Sequence, residues 1–269
     1  MWLSHSPSSP PSLPQYAERI RIAVITGGSS GIGAALARLL TGRGWRCVLL
    51  ARGRERLERV SAELGAEAER CDVADRDDVE RVAAAVGERH PAIHLLVNNA
   101  GVPGGGGFLD LPPEKIEDVI RINYLGGVWC LRAFLPLLEA GAPADVANVV
   151  SVAGTVTFGP SGPYSASKHA QLAFSRNVTA ELAPRGIRVH SVNPALTATE
   201  GFPQRAFLRG RWSRHLVMRP ERVAEAIVRA VERGRPEVFV PEGYRLVAAV
   251  QALAPASLSR LATRRARSR

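Results

Sequence analysis

The sequence predicts an α/β protein with one doubly wound parallel sheet of about seven strands. Short apolar runs alternate with amphipathic segments from residue 20 onward, which is typical of parallel strands joined by helices that cover both faces. A glycine-rich segment follows the first apolar run and precedes the first amphipathic one. These two observations indicate the Rossmann-type architecture.

The elements follow one another strictly as strand and helix. Apolar runs predict strands at 20–26, 46–51, 67–73, 93–98, 145–152, 187–192 and 237–240. Amphipathic segments predict helices at 31–43, 54–64, 75–88, 114–139, 163–182 and 222–233, with a break in the fourth near Gly126. Right-handed crossovers between parallel strands then distribute these helices over the two faces of the sheet.

Three segments lie outside this alternation. Residues 1–16 hold no charged residue, so they lack the basic start of a signal peptide, and prolines and serines interrupt any apolar core there. We therefore expect residues 1–18 to form a flexible N-terminal extension. One Rossmann-type domain is predicted over 19–243, and a basic C-terminal tail over 244–269. Within the domain, residues 195–218 mix aromatic residues with arginines, and two interpretations stay open: a substrate lid loop, or a surface helix with a solvated basic face.

The net charge of +10 over 269 residues first suggests a polyanion-binding protein. However, six of the 35 basic residues lie in 244–269, which holds no acidic residue, so the remainder has 29 basic and 25 acidic residues, a net +4. The excess belongs mainly to the tail, and no aromatic-plus-basic motif predicts nucleic-acid binding. For the tail itself, peripheral contact with an anionic membrane and packing on the domain with a frayed end both stay open.

The cysteines and histidines predict neither disulfides nor a metal site. Three cysteines are present, none in a CxxC pair, and the histidines are scattered without ligand spacing. No stretch reaches the roughly 18 apolar residues that a membrane span needs. We therefore expect a cytoplasmic protein in a reducing compartment, with the membrane-peripheral alternative resting on the tail.

The glycine-rich turn predicts a phosphate site. Glycines permit positive φ and a close approach of ligand to backbone, and the helix that follows offers free N–H groups. The bland alternative is a tight turn without a ligand. The turn residues that we expect to bind cofactor are Gly27, Ser29, Ser30, Gly31, Ile32 and Gly33.

The residue after the second strand predicts which dinucleotide binds. Folds of this type that prefer NAD place an acid there, whereas a nearby arginine accommodates the 2′-phosphate of NADP. This chain has Arg52 after Ala51, and a guanidinium suits a phosphate dianion. The sequence thus predicts NADP(H) as cofactor; the alternative is an arginine that is only solvated.

A tyrosine and a lysine at i and i+4 indicate proton-transfer chemistry. Tyr164 and Lys168 share one helix face, and a nearby ammonium is expected to lower the pKa of a phenol. Ser151 lies at the end of the fifth strand and Asn123 in the preceding helix. The carboxyl ends of parallel strands are where such sheets bind ligands.

With these segments the chain resembles the short-chain dehydrogenase/reductase family, in its NADP-preferring type. The matching segments are TGGSSGIG (26–33), CDV (71–73), NNAG (98–101), Asn123, Ser151, YSASK (164–168) and Asn193-Pro194. The resemblance implies that Tyr164 moves a proton to or from the substrate oxygen, Ser151 binds that oxygen, Lys168 bonds the nicotinamide ribose, and Asn123 holds a relay water. Further implied cofactor contacts are Asp72, Val73, Asn98, Ala100, Gly101, Pro194, Thr197 and Thr199.

The resemblance implies NADP(H)-dependent hydride transfer to a carbonyl or from a secondary alcohol, EC 1.1.1.-, by a homodimer or homotetramer. The alternative is a catalytically silent NADP(H)-binding sensor on the same fold. One departure from the family's pattern is Ala195, where Pro-Gly is usual. A methyl group at that position puts the loop beside the nicotinamide in doubt.

Overall fold

The computed structural model describes residues 20–157, 162–199 and 217–255, and in these ranges all strands belong to one parallel sheet with the order β3-β2-β1-β4-β5-β6-β7. The strands are β1 Ile22–Thr26, β2 Arg46–Ala51, β3 Glu67–Arg70, β4 Leu95–Asn98, β5 Ala144–Val149, β6 Ile187–Pro194 and β7 Glu237–Val240. The α-helices are α1 Gly31–Thr41, α2 Arg54–Leu64, α3 Arg76–Arg89, α4 Pro113–Ile120, α5 Gly126–Ala140, α6 Gly162–Leu182, α7 Pro220–Glu232 and α8 Tyr244–Leu253.

The sheet separates two apolar cores because successive side chains of a strand point to opposite faces. In β1, Ile22 and Val24 face the core that contains residues of α3, α5 and α6. Ala23 and Ile25 face the core that contains residues of α1 and α7. Burial on both faces explains why β1 and β4 are apolar up to their last residue. The predicted doubly wound fold is confirmed.

The predicted elements all form, with shifted ends. β1 begins at Ile22 instead of residue 20, β3 ends at Arg70 instead of 73, and β5 ends at Val149 instead of 152. Val73 is buried but follows the strand, so its apolar character reflects core packing and not strand pairing. β6 extends to Pro194, two residues beyond its prediction.

The long helix predicted at 114–139 is two α-helices joined by a π-turn. Residues 121–125 form a π-helical turn of five residues between α4 and α5. This turn ends directly before Gly126, where the sequence predicts a break. A Cβ on Gly126 would lie 2.9 Å from a Val73 side-chain atom, so glycine lets this helix approach the loop after β3. A π-turn changes the direction of the side chains that follow it, and such turns are common at functional sites.

The two described ends of the insertion at 195–218 pair with each other. Met218 N donates to Leu196 O and Ala198 N donates to Met218 O, both at 2.8 Å, and Thr197 bridges Met218 in parallel. The lid predicted between these ends lies outside the described residues, as do the N-terminal extension and the arginine-rich end of the tail. Among the described helices, none is long and apolar enough to cross a membrane.

Candidate active site

The predicted site residues converge at one edge of the sheet because all strands are parallel. The strand order reverses between β1 and β4, whose neighbours on either side are β2 and β5. In such sheets the crevice at this switch point, outside the carboxyl ends, is the usual ligand site. The segments after β1, β2, β4, β5 and β6 all meet there.

The turn after β1 has the conformation that the phosphate prediction requires. Gly27 and Gly31 have φ of +66° and +52°, and a Cβ on Gly33 would lie 2.4 Å from Gly27 O. Ser30, the N-cap of α1, makes no hydrogen bond to the helix with its side chain. The amino end of α1 therefore keeps N–H groups for an anion, and the backbone fits a dinucleotide pyrophosphate.

Thr26 and Asn99 hold this turn against the loop after β4. Thr26 Oγ1 donates to Val97 O at 3.1 Å and accepts from the N–H of Asn99 and Ala100 at 2.9 and 3.0 Å. Asn99 Nδ2 donates to Thr26 O at 2.9 Å. A bifurcated threonine oxygen thus fixes two of the segments that border the crevice. Sequence analysis assigned neither side chain a role.

Two arginines follow β2, one predicted and one not. Arg52 is exposed directly after the strand, beside the strand that leads into the glycine-rich turn. Arg56, in the first turn of α2, donates from Nε to Ser29 O at 3.0 Å. Arg56 therefore contacts the turn itself, and only the tertiary packing of α2 on the turn reveals this.

The predicted adenosine contacts surround the same crevice, but two of their side chains serve the protein. Asp72 Oδ1 accepts from Ala74 N at 3.0 Å, which shapes the loop in which Val73 is buried. Asn98 Nδ2 donates to Asn148 Oδ1 at 2.9 Å and ties β4 to β5. Contacts of Asn98 with a ribose would thus fall to its backbone, next to Ala100 and Gly101.

Ser151 and Tyr164 come together although thirteen residues separate them. Their side chains are joined by a hydrogen bond, which favours the phenolate, but burial dominates and raises the pKa of Tyr164 above its ordinary value. Ser151 Oγ also accepts from Ala153 N at 3.1 Å and donates to Pro194 O at 3.4 Å. The serine hydroxyl is thereby anchored at the ends of β5 and β6.

Lys168 is buried beside this pair, but it is not among the groups that shift the pKa of Tyr164. Its Nζ lies 5.9 Å from the Tyr164 ring centroid and donates to Val149 O at 3.0 Å and Gln171 Oε1 at 2.8 Å. Burial lowers the pKa of Lys168 to about 7. The pKa of Tyr164 is raised, not lowered as the i, i+4 pairing predicted, because desolvation outweighs the other influences.

Asn123 occupies the π-turn and binds the protein on both sides. Its Oδ1 accepts from Val102 N at 2.7 Å, and its Nδ2 donates to Val102 O at 3.0 Å and Ser167 Oγ at 3.1 Å. Ser167 Oγ in turn donates to Tyr164 O at 2.7 Å. The side chain of Asn123 thus links the loop after β4 to α6, and a relay water held by this residue stays a prediction.

The segment after β6 lies against the glycine-rich turn. A Cβ on Gly31 would lie 2.9 Å from Thr199 Cγ2, which places Thr199 over the start of α1. Thr197 Oγ1 donates to Ala195 O at 2.9 Å. No described residue other than glycine has a positive φ, so Ala195 adopts its backbone conformation without left-handed strain, and the absent glycine leaves the loop intact.

Sequence reasoning also missed Gln171, which contacts Lys168 from the next turn of α6. Its position i+3 from the lysine is the available signal, since residues at this spacing are neighbours on a helix. Within the described ranges, no group of three or more His, Cys, Asp or Glu residues is arranged to hold a metal ion. Burial raises the pKa of Cys47 and Cys71 to about 12, so these thiols are unreactive.

The fold and the site together define a nicotinamide-dependent oxidoreductase. The family model described as short chain dehydrogenase matches residues 21–206. A putative ketoacyl reductase of Streptomyces coelicolor is 36% identical over 224 residues, which are 80% of this chain and 84% of that protein. The chain belongs to the short-chain dehydrogenase/reductase family, whose members act on CH–OH groups with a nicotinamide cofactor.

Other relatives show the range of this similarity. A 2-(R)-hydroxypropyl-CoM dehydrogenase of Xanthobacter autotrophicus is 36% identical over 188 residues, 66% of this chain and 75% of that one. A variant actinorhodin polyketide ketoreductase solved with NADPH has a TM-score of 0.75 and 31% identity, covering 83% of this chain and 97% of that chain. A family member from Burkholderia phymatum solved with NAD has a TM-score of 0.76 and 27% identity, covering 86% and 92%.

Proposed function

We propose that this protein is an NADP(H)-dependent reductase of a small carbonyl compound, with Tyr164 as the proton donor. One observation carries the proposal: the hydrogen-bonded pair of Ser151 and Tyr164 lies with Lys168 at the sheet edge that also holds the uncapped amino end of α1. A dinucleotide on that helix end would bring its nicotinamide toward the pair.

The residues divide the proton chemistry among them. The bound cofactor supplies hydride to the carbonyl carbon. The Ser151 hydroxyl donates a hydrogen bond to the carbonyl oxygen, and the Tyr164 phenol transfers its proton to that oxygen, so that C=O becomes CH–OH. Because burial raises the pKa of Tyr164 above its ordinary value, the phenol carries at neutral pH the proton that reduction requires. Lys168 stabilises the phenolate that remains.

The two arginines after β2 support NADP(H) over NAD(H). Arg52 stands where an acid would bind the ribose 2′-hydroxyl, and Arg56 adds a second guanidinium on the glycine-rich turn through its bond to Ser29 O. No described acidic residue lies between Ala51 and Arg54. The solved relatives include both an NADPH and an NAD complex, so they favour neither cofactor, and the proposed preference rests on these side chains.

Substituting Arg52 with aspartate is expected to reverse this preference. The variant loses a charge-assisted bond to the 2′-phosphate, worth about 1.5–3 kcal/mol, and repels that phosphate. NADPH affinity should thus fall roughly tenfold to hundredfold, whereas NADH affinity holds or rises. Titration of cofactor by fluorescence measures both dissociation constants. Arg46→Asp, at the exposed opposite end of the same strand, is the matched control; tighter NADH binding by the wild type contradicts the proposal.

The competing function is an NADP(H)-binding sensor without turnover. A screen of carbonyl compounds that follows NADPH absorbance in both directions separates the two, because tight binding without oxidation of NADPH by any substrate supports the sensor. The relatives named ketoacyl reductases make ketoacyl compounds the first class to test. We further propose that the protein is a homodimer or homotetramer, as implied by its family, and that it is cytoplasmic, which three buried free cysteines support.

A further inference from the structure

The helix after the last strand turns its apolar side chains to solvent. α8 has no buried residue. Its large apolar side chains are exposed: Leu246 by 73%, Val247 by 38%, Val250 by 52% and Leu253 by 87%. Their spacing places them along one side of the helix. The half-buried side that rests on the domain instead holds Tyr244, Ala248 and Gln251. Packing on the domain, one of the two interpretations of the tail, therefore does not cover the apolar stripe.

The surroundings of this stripe are basic. A cleft of about 350 Å³ lies immediately before α8, and it is bordered by Pro241, Glu242 and four arginines, Arg222, Arg229, Arg233 and Arg235. Arg245, on α8 itself, is a further exposed arginine, and the described residues 244–255 hold no acidic residue. Two of these arginines have carboxylate partners: Arg229 lies 3.3 Å from Glu225, and Arg235 lies 3.8 Å from Glu242. Both pairs are exposed and therefore weak. A partner for this surface must offer both negative charge and an apolar phase.

A second exposed apolar pair lies at the same edge of the molecule. Phe108 and Leu109, in the loop after β4, are 73% and 91% exposed. That loop borders the active site, because a Cβ on Gly104 would lie 3.2 Å from Tyr164 Cβ. Since all strands are parallel, the loop after β4 and the start of α8 after β7 share the carboxyl edge of the sheet.

We propose that α8 and the arginines around it form a docking surface for an anionic lipid bilayer. The apolar stripe Leu246, Val250 and Leu253 enters the boundary between headgroups and acyl chains, and the arginines bind lipid phosphates. A second copy of the chain could cover the apolar stripe, but it fits less well because both partners of a two-fold contact present the same basic surface and bring no excess of negative charge to the arginines. The active-site opening would then lie at the membrane face.

Flotation of the full-length protein with vesicles tests this surface. Binding to phosphatidylcholine vesicles that contain phosphatidylglycerol, but not to phosphatidylcholine alone, is expected, and salt should weaken it. The double variant Leu246→Glu/Leu253→Glu should reduce the bound fraction roughly tenfold or more. Ile20 is also an exposed apolar residue, 58% accessible, but it lies at the amino edge of the sheet. The variant Ile20→Glu is therefore the matched control and should float like the wild type.

The outcomes separate the occupants of the stripe. NADPH affinity and thermal unfolding should be the same for all three proteins, because the substituted side chains are exposed. Absence of flotation with anionic vesicles, or equal flotation of the double variant, overturns the proposal. If light scattering shows that the double variant loses a dimer while lipid binding is unchanged, a second copy covers the stripe and the lipid surface is excluded.

The buried ammonium of Lys168 has two hydrogen-bond acceptors among the described residues. Lys168 Nζ donates to two neutral oxygens, Val149 O and Gln171 Oε1. In the described part of the chain, burial is the influence that acts on its pKa, with no carboxylate contributing. The titratable group that faces it is the Tyr164 phenol. An ammonium held by so few acceptors depends on each of them.

We infer that Gln171 is a positioning residue that holds the Lys168 ammonium beside Tyr164. This inference rests on the proposed function, since it assigns Gln171 a part in the same proton transfer. Val149 contributes a main-chain oxygen that no substitution removes, so Gln171 is the adjustable partner. Without its amide oxygen, the ammonium keeps one protein acceptor, and its charged form is less favoured.

The pH dependence of kcat tests this positioning role. Burial lowers the pKa of Lys168, and a reaction that needs the ammonium slows as pH rises through the pKa that this group has in the bound complex. Gln171→Leu should move that limb to lower pH and reduce kcat at neutral pH roughly tenfold, whereas Gln171→Glu should move it to higher pH. His169→Gln, the exposed neighbour of the lysine, should leave the profile unchanged.

The result distinguishes this inference from the function on which it rests. If Gln171→Leu keeps the wild-type kcat and pH limb while Tyr164→Phe is inactive, only the positioning role is wrong. If Tyr164→Phe itself turns over at the wild-type rate, the proposed mechanism fails first. A loss of kcat in Gln171→Leu without any shift of the limb would assign Gln171 a purely structural role and overturn the inference.

Discussion

Replacing Tyr164 with phenylalanine is expected to abolish turnover and to spare NADPH binding. The substitution removes the proton donor but keeps the ring, so the first turn of α6 and its contact with Gly104 persist. General acid–base catalysis contributes about 10²–10⁴-fold to a rate, and kcat for carbonyl reduction should fall by that factor. The fall should appear in kcat, because the phenol acts in the transition state.

Steady-state kinetics and cofactor titration together check this result. Tyr124→Phe is the matched control: that ring meets Phe174 edge-to-face at 6.1 Å and lies outside the predicted tetrad. It should retain the wild-type kcat. Turnover by Tyr164→Phe at a rate close to the wild type would exclude the phenol as proton donor, whereas loss of NADPH affinity would indicate that the phenol also supports the cofactor site.

The substitution Gly33→Ala is expected to disrupt the glycine-rich turn. Its Cβ would meet Gly27 O at 2.4 Å and Asn99 Nδ2 at 2.8 Å, and both neighbours are fixed, the first by the backbone and the second by its bond to Thr26. Overpacking of this kind costs about 1–3 kcal/mol. We expect a lower free energy of unfolding and weaker NADPH binding, since relief requires α1 to move away from the turn.

Urea unfolding measures the first effect, as a lower midpoint at an unchanged slope, and cofactor titration measures the second. Gly87→Ala is the control, because Gly87 lies inside α3 and a Cβ there would make only ordinary contacts, at 3.5 and 3.8 Å from Leu137. The control should be at least as stable as the wild type. An unfolding midpoint of Gly33→Ala equal to that of the control would show that the turn tolerates a methyl group.

The site was predictable where residue identity alone carries the chemistry. The glycine pattern at 26–33 requires close backbone approaches, and Tyr164 with Lys168 requires one helix face, so both follow from local spacing. Their assembly with Ser151 follows from parallel strands ending at one edge. The adenosine side was less predictable, because the carboxylate of Asp72 and the amide of Asn98 bond to the protein itself.

Sequence alone determined the fold class, the family and the edge of the sheet where the candidate site residues meet, because alternating apolar runs and fixed glycine spacings act over short range. Only the tertiary structure decided that Arg56 contacts the turn, that Gln171 meets Lys168, and that α8 exposes its apolar stripe. It also decided the direction of the Tyr164 pKa shift. Each of these depends on what packs around a side chain, and burial is a property of segments distant in the chain.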